Sequence, residues 1–332
     1  MGTITKSSLS DQYQTYFSQK LLEHAVQALV MNQFGLEAEL PKNKGATTIR
    51  WFRPGVADSS EVQSLTEGTP ISTFRGITYT YVEATLAQIG QAAKITDVVT
   101  MTALFDALKQ AIQTMGEDCA LKADDVIRNA LCAGSGGLTK RYAQATANFA
   151  GLAGATAANG KITGADVLDA VTRLQINRAP KIGGAYVAAI CPQVQRDFLR
   201  DGDILDPAKY QDKSTIAKGE IGMAWGARIV THTNPMQEDE TEGTYASTFS
   251  TSDTNTTGFI YTTPIIGRGA YGVPKLAGTQ SPVKPTVIIN DKPDKSDPLN
   301  QFMIAGWKAF WTAKVLTPNY GIALRSKSAF TG

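Results

Sequence analysis

The segment DVVTMTALFDALKQAIQTMGEDCALKADDVIRNALCA, residues 97–133, carries the strongest periodic pattern in the chain. Its apolar residues recur at steps of three and four, which places them on one face of an α-helix. Thr96 provides a helix N-cap, Asp97 lies near the positive end of the helix dipole, and the GSGG run at 134–137 ends the pattern. An unbroken helix of about 37 residues would be about 55 Å long, roughly three times the usual globular length, so the segment predicts a structural strut.

Two kinds of element precede this helix. Residues 10–33 place apolar side chains at helical spacing and predict an amphipathic N-terminal helix. A strand is predicted at 46–52, and residues 54–95 combine turn residues with few large apolar ones, which favours a long β-ribbon. Because an isolated two-stranded ribbon is only marginally stable in water, this ribbon is expected to lie on another surface.

The segment after the long helix predicts a compact α/β unit. Residues 143–160, AQATANFAGLAGATAANG, contain few apolar anchors and are expected to form a surface loop. Thr163 and Asp166 have capping-box spacing at the start of a further predicted helix. The run GAYVAAICP at 184–192 predicts a buried strand, with its proline in the first turn of the next helix.

The remaining third of the chain predicts mainly strands. Residues 218–233 indicate a glycine-containing turn into a strand, and residues 234–257 are polar and acidic, which favours a long exposed loop. The run PTVIIN at 285–290 predicts a strand. The segments 302–316 and 320–330 predict a pair of longer strands.

Composition excludes several classes of protein. The 332 residues include 42% hydrophobic and 19% charged residues, which is typical of a folded chain, and the formal net charge of +2 predicts no overall attraction to nucleic acid or anionic membranes. The N-terminus, MGTITKSSLSDQYQ, lacks the apolar core of a signal peptide, and no apolar run reaches the roughly 18 residues of a membrane span. We therefore expect a soluble protein that does not contact a membrane.

The cysteine and histidine content limits the possible chemistry. Cys119, Cys132 and Cys191 are odd in number and lie in apolar segments, which predicts buried, reduced thiols. His24 and His232 are the only histidines, so a multi-histidine metal site or a histidine-dependent hydrolase is not expected.

One stretch matches a cofactor motif. GRGAYG at 267–272 fits the G-x-G-x-x-G pattern of dinucleotide-binding proteins and follows a strand-like run, and Asp291 lies about 20 residues further on. The motif needs a helix directly afterwards, whereas the next residues contain Pro274 and three further breakers, Gly278, Pro282 and Pro285. A tight turn in which glycine adopts a positive φ is the favoured interpretation, and a nicotinamide-dependent oxidoreductase remains a remote alternative.

Other polar groups are best explained without chemistry. The acidic run 238–242 lacks the ligand spacing of a calcium loop and predicts a solvated loop, and the paired carboxylates Asp124 and Asp125 are expected to be solvated on a helix face. The RWFR run at 50–53 has two interpretations, a nucleic-acid contact or an alternating strand beside the exposed arm. No catalytic constellation emerges, so we expect no enzyme, no metal and no cofactor, and we expect the arm and the ribbon to be buried between subunits.

Several ordered stretches carry a resemblance to a known family. They are LTEGTPI at 65–71, QIGQAAKITD at 88–97, KGEIGMAWGARIV at 218–230, DPLNQFMIAGWKAFW at 297–311 and YGIALR at 320–325. In this order and spacing the chain resembles the major capsid proteins of tailed bacteriophages, most closely the podophage-type branch. The resemblance implies an α+β protein with the Hong Kong 97-like capsid fold.

The resemblance also implies a division of the chain. The expected regions are an N-terminal arm (1–45), a strand and extended β-hairpin E-loop (46–96), a peripheral domain (97–183) with a spine helix (97–133), an axial domain (184–290) with the exposed loop 234–257, and C-terminal strands (291–332). In that family the arm and the E-loop lie over neighbouring subunits. The residues expected at intersubunit contacts are Tyr13, Tyr16, Phe17, Glu67, Arg75, Lys94 and Arg268.

The implied partners are those of a phage head assembled in the bacterial cytoplasm and then part of the virion. They are many copies of the chain in hexamers and pentamers, a separate scaffold protein, a portal, a possible decoration protein, and double-stranded DNA contacted non-specifically on the inner face. Because the predicted arm helix begins by residue 10, a separate scaffold is expected rather than a cleaved segment. An encapsulin-like nanocompartment shell is the alternative.

Overall fold

The computed structural model describes residues 30–38, 48–54, 62, 64–65, 67–68, 70, 74, 79–102, 106–132, 136–200, 222–234, 236–238, 259–275, 286–290 and 301–330. Its α-helices are α1 (Asp97–Thr102), α2 (Ala107–Cys132), α3 (Phe149–Gly154), α4 (Ala157–Gly160), α5 (Gly164–Ile176) and α6 (Pro192–Leu199). Its strands are β1 (Leu36–Ala38), β2 (Thr48–Pro54), β3 (Tyr79–Thr85), β4 (Ala87–Thr96), β5 (Thr139–Tyr142), β6 (Tyr186–Ile190), β7 (Met223–Ala224), β8 (Ala227–Thr231), β9 (Met236–Glu238), β10 (Ile260–Ile266), β11 (Tyr271–Pro274), β12 (Thr286–Asn290), β13 (Phe302–Trp311), β14 (Lys314–Val315) and β15 (Gly321–Lys327).

A mixed sheet of seven strands forms the centre of the protein. Its order is β5-β15-β10-β6-β8-β7, with β9 paired to β10. Every residue of β6, β10 and β15 is buried, because both faces of the sheet are covered. On one face, α5 and α6 pack against alternate residues of β6 such as Tyr186 and Ala188, and on the other α2 packs against Val187 and Ala189.

The long helix α2 connects this central sheet to a second sheet. Its first half buries Ile112 and Met115 against Ala305 and Trp307 of β13, in the three-stranded sheet β12-β13-β4. Its second half belongs to the core that it shares with the central sheet. One helix face therefore fixes the two sheets relative to each other, which is the structural role predicted for the strut.

The predicted helix is interrupted, however. The structure describes α1 and α2 as separate helices, with Asp106 outside both. The Asp106 carboxylate accepts a hydrogen bond from the N–H of Lys109 at 3.1 Å, so it caps the start of α2. The prediction of one continuous helix from residue 97 was wrong at this point, because the apolar periodicity continues through a residue that prefers to begin a helix.

Two other predictions of strand partners were wrong. β4 was expected in the ribbon, but it pairs along its whole length with β13, from Ala87 opposite Trp311 to Thr96 opposite Phe302. The predicted pair formed by β13 and β15 does not exist either, since β15 pairs with β10 and β5 in the central sheet. These partners lie far apart in the sequence, and periodicity reports only local structure.

Local predictions about the α/β unit were mostly right. Thr163 and Asp166 form the predicted capping box at the start of α5, and Pro192 occupies the first turn of α6. The predicted loop at 143–160 was wrong, because it contains the short helices α3 and α4. Phe149 and Leu152 of α3 are both buried in a small core with Ile260 of β10, which anchors this segment.

Two acidic predictions were also wrong. Asp124 is buried on α2 rather than solvated. Its carboxylate accepts a hydrogen bond from the N–H of Val30 at 3.3 Å and lies 3.4 Å from Nε2 of His232. Glu238, assigned to an exposed loop, is buried in β9, while residues 239–258 lie outside the described residues. Both carboxylates have partners on distant segments, which explains their burial.

Candidate functional site

The GRGAYG motif forms the turn between β10 and β11. Gly267 N–H donates to the carbonyl of Tyr320 at 2.8 Å, Arg268 N–H donates to the carbonyl of Pro180 at 2.9 Å, and Gly269 adopts φ +79°. The motif is followed by a strand, so the N-terminal turn of a helix that would bind a pyrophosphate does not exist here. The predicted glycine turn is confirmed, and the dinucleotide alternative is contradicted.

The last glycine of this motif has a packing role. A Cβ atom at Gly272 would lie 2.4 Å from the indole ring of Trp51. Trp51 is buried and donates its indole N–H to the carbonyl of Leu36 at 3.1 Å. The absence of a side chain at Gly272 therefore allows the Trp51 ring of strand β2 to pack against the backbone of the motif.

Strands β2 and β3 form a two-stranded ribbon attached by one face. The attached face carries Ile49, Trp51 and Ala84, which form a small core with Leu316. Arg53 donates from its guanidinium to the carbonyl of Leu316 at 2.8 Å. These contacts pack the base of the ribbon on its own chain, and burial of the ribbon between subunits stays a prediction.

The opposite face of the ribbon is exposed and aromatic. Phe52 and Tyr81 lie directly opposite each other and are 70% and 58% exposed, and Tyr79 is 63% exposed. Arg50 forms an ion pair with Glu83 and places its guanidinium 5.2 Å from the centre of the Tyr81 ring. We call the face formed by Arg50, Phe52, Tyr79, Tyr81 and Glu83 the outer ribbon face.

Side chains of this kind are common at protein interfaces. Aromatic residues and arginine dominate the binding energy of such contacts, whereas a monomer rarely leaves three neighbouring aromatic rings in water. Phe52, Tyr79 and Tyr81 are not among the residues predicted at intersubunit contacts. Alternation in RWFR and YTY, with aromatics on the face opposite Trp51, is the signal that identifies them.

The segment between the two ribbon strands is exposed wherever it is described. Val62, Leu65 and Phe74 are large apolar residues in water, and Glu67 is exposed before Gly68, which adopts φ +79°. Glu67 makes no ion pair or hydrogen bond with any residue that the structure describes. The other residues between β2 and β3 lie outside the described residues, so the E-loop stays a prediction.

Of the remaining predicted contact residues, the structure describes Lys94 and Arg268, which lie in different elements. Lys94 lies on the exposed face of β4, with its ammonium 3.4 Å from the centre of the Phe302 ring, and Arg268 is exposed in the β10–β11 turn. Tyr13, Tyr16, Phe17 and Arg75 lie outside the described residues. The three predicted contact residues that are described, Glu67, Lys94 and Arg268, make no described contact with one another.

The buried charged side chains of Arg325, Glu238 and Lys327 are paired with other groups of the fold. One guanidinium nitrogen of Arg325 lies 3.0 Å and 2.9 Å from the two carboxylate oxygens of Glu238, and the rings of Phe149 and Tyr142 lie beside the same guanidinium. Lys327 donates to the carbonyls of Ala153 and Ala155 at 2.6 Å and 2.9 Å. Each charge has a partner within the fold.

The three cysteines are free and buried, as predicted. Burial raises the pKa of each thiol from 9.0 to about 12, so the nucleophilic thiolate is disfavoured. Across the described ranges, no three His, Cys, Asp or Glu side chains come close enough to hold a metal ion. None of the helices described is long and apolar enough to cross a membrane.

Comparison with known proteins gives matches among solved structures only. No family model matches the chain, and no curated protein matches it in sequence. The capsid of cyanophage P-SCSP1u is similar over 91% of this chain and 89% of its own, with a TM-score of 0.61 and 17% identity. The cyanophage Pam1 capsid is similar over 92% of both chains, with a TM-score of 0.61 and 14% identity.

A virus-like particle from Pyrococcus furiosus is also similar. It covers 93% of this chain and 98% of its own, at a lower TM-score of 0.53 and 10% identity. At these identities the likeness concerns the fold, and it extends over nearly the whole chain in each case. The chain has the α+β, Hong Kong 97-like fold of tailed-phage capsid proteins.

Proposed function

We propose that the chain is the major capsid protein of a tailed phage, and that its copies assemble into the icosahedral head around the double-stranded DNA genome. The observation that carries this proposal is the outer ribbon face, an exposed aromatic surface on a chain with the fold of phage capsid proteins. A ribbon that is held by one face and bare on the other is suited to contact a second copy. The protein acts by assembly and catalyses no reaction.

The proposed regions follow from the resemblance. Residues 1–45 form the N-terminal arm, 46–96 the E-loop region, 97–183 the peripheral domain, 184–290 the axial domain, and 291–332 the C-terminal strands. The E-loop assignment is supported by the exposure of each residue that the structure describes between β2 and β3. We also retain the podophage-type branch as part of the proposal.

Many weak contacts explain how such a shell becomes stable. Each exposed aromatic or charged contact contributes little alone, but a closed symmetric shell repeats every contact in each subunit, and their energies sum through multivalency. The net charge of +2 suits a wall that holds DNA without binding it tightly. The proposed partners are hexamers and pentamers of the chain, a scaffold, a portal and a possible decoration protein.

Electron microscopy of the purified chain tests the proposal. We expect closed shells of uniform diameter when the protein is mixed with its scaffold at high concentration, and capsomers or incomplete shells without it. Monomers in both samples would contradict the proposal. A nanocompartment would instead form shells that enclose a protein cargo and no genome, and nuclease-protected DNA in particles from infected cells separates these two outcomes.

A further inference from the structure

A positively charged cleft lies away from the outer ribbon face. It has a volume of about 340 Å³ and is formed by residues 33–36, 181–183 and 268–269. Arg268 N–H donates to the carbonyl of Pro180, which places it beside the residue that precedes Lys181. The cleft therefore brings two cationic side chains, Lys181 and Arg268, to one place.

No described residue neutralises the two cations of the cleft. Among the described residues, the Arg268 guanidinium makes no ion pair or hydrogen bond, and the Lys181 ammonium lies only near the Tyr186 ring, at 5.9 Å from its centre. The segments 170–184 and 259–275 contain no aspartate or glutamate. Glu37 follows the lining residue Leu36, but it makes no ion pair with either cation.

Apart from Gln33 and the glycines, the rest of the cleft wall is apolar. Phe34, Leu36 and Ile182 line it, and Leu36 is exposed although it belongs to strand β1. An occupant that fits such a wall needs an anionic group and an apolar group a few ångströms apart. A nucleic-acid backbone offers phosphates but leaves the apolar wall without a partner, so a protein segment fits better.

We propose that this cleft binds Glu67 of a neighbouring copy, with Leu65 of the same segment against the apolar wall. Glu67 is an exposed carboxylate without a described partner, and Leu65 is 72% exposed two positions before it. One anion and one apolar side chain thus match two cations and an apolar wall. The inference rests on the proposed function, because it requires a second copy.

A charge exchange tests the pairing in assembled shells. Glu67→Arg alone and Arg268→Glu alone each place like charges together, and we expect each to raise the protein concentration needed for assembly by about tenfold or more. The double variant Glu67→Arg/Arg268→Glu restores opposite charges and should return to within about threefold of the original protein. Glu117→Arg, an exposed change on α2, is the matched control and should leave assembly unchanged.

Cysteine crosslinking gives a second, independent measurement. A Glu67→Cys protein and an Arg268→Cys protein are co-assembled and oxidised mildly at pH 8, where the native buried thiols remain protonated because their pKa is about 12. We expect at least about tenfold more disulfide-linked dimer in mixed shells than in shells of either protein alone, because the neighbouring copy raises the effective concentration of the partner thiol.

The outcomes separate the two proposals. If the original protein forms shells but the exchange gives no rescue and mixed shells give no extra dimer, the cleft assignment is wrong while the shell function stands. Normal assembly of Arg268→Glu with loss of DNA retention would assign the cleft to phosphates and overturn the inference. Failure of the original protein to assemble under any condition overturns both.

Discussion

The guanidinium of Arg325 and the carboxylate of Glu238 form an ion pair from which water is excluded, with both side chains 0% exposed. Arg325 lies in the middle of β15, and Glu238 ends β9, so the pair connects two strands on either side of β10. Phe149 and Tyr142 lie beside the same guanidinium, which completes its shielding. Each of the two buried charges is therefore neutralised by the other.

Removing one partner of this pair should destabilise the protein strongly. We expect Arg325→Met or Glu238→Leu to lower the free energy of unfolding by about 3–5 kcal/mol, because the remaining group is left buried without its partner. The double variant Arg325→Met/Glu238→Leu should cost less than the sum of the single changes. Urea unfolding followed by circular dichroism measures all three, and additive losses would show that the pair is not coupled.

The contact between Gly272 and Trp51 gives a second prediction. Gly272→Ala puts a methyl group where the Trp51 ring lies, so the ring and β2 must shift, at a cost of about 1–3 kcal/mol. Trp51 fluorescence should change at the same time. Gly136→Ala is the control for a glycine with positive φ and open space around it, and it should cost only about 1 kcal/mol of backbone strain without moving a tryptophan.

Changes on the outer ribbon face should affect assembly more than folding. We expect Phe52→Ser or Tyr81→Ser to raise the assembly concentration by about tenfold, which corresponds to about 1.4 kcal/mol per contact, with little change in unfolding. Ile176→Ser is the matched control, since Ile176 is 65% exposed at the end of α5 but lies outside the ribbon. Light scattering gives the assembly threshold. Equal effects of all three variants would argue against a specific role for this face.

The buried thiols predict a dependence of stability on alkaline pH. Folding raises the pKa of Cys119, Cys132 and Cys191 from 9.0 to about 12, so their contribution is fully present below pH 9 and is lost between pH 9 and 12, as the unfolded thiols ionise first. Each thiol should cost about 1.4 kcal/mol of stability per pH unit within this window. Urea unfolding at pH 8 and pH 10 measures the loss, and a variant with all three cysteines changed to alanine should lose less.

Local signals predicted much of the fold, while pairings between distant strands could not be predicted. The capping box of Thr163 and Asp166 and the buried run of β6 depend on residues close together in the sequence. Both could therefore be predicted from the local pattern. The pairing of β4 with β13 joins two segments that lie far apart in the sequence. The local pattern of each segment predicts a strand but does not indicate which strand it pairs with. The resemblance to capsid proteins predicted the fold class although it did not provide these pairings.

Burial of charge was the least predictable feature of the candidate site. Asp124 and Glu238 look like ordinary solvated carboxylates in the sequence, because their partners His232 and Arg325 lie in other elements. The outer ribbon face was predictable in principle from alternation, but which face is attached depends on Trp51 finding Gly272. The outer ribbon face is exposed because the rest of the chain packs against the opposite face of the ribbon.

The pairing of β4 with β13 has a consequence for when the protein becomes able to assemble. The two strands lie roughly 200 residues apart, and such long-range contacts form late because loop closure must precede them. During synthesis on the ribosome, β4 cannot pair with β13 until β13 has emerged. Because β4 directly follows the ribbon strand β3, the base of the ribbon also forms only then. The ribbon therefore gains a fixed base only once most of the polypeptide has been made. Under the proposed shell function, nascent chains cannot join a shell before that stage.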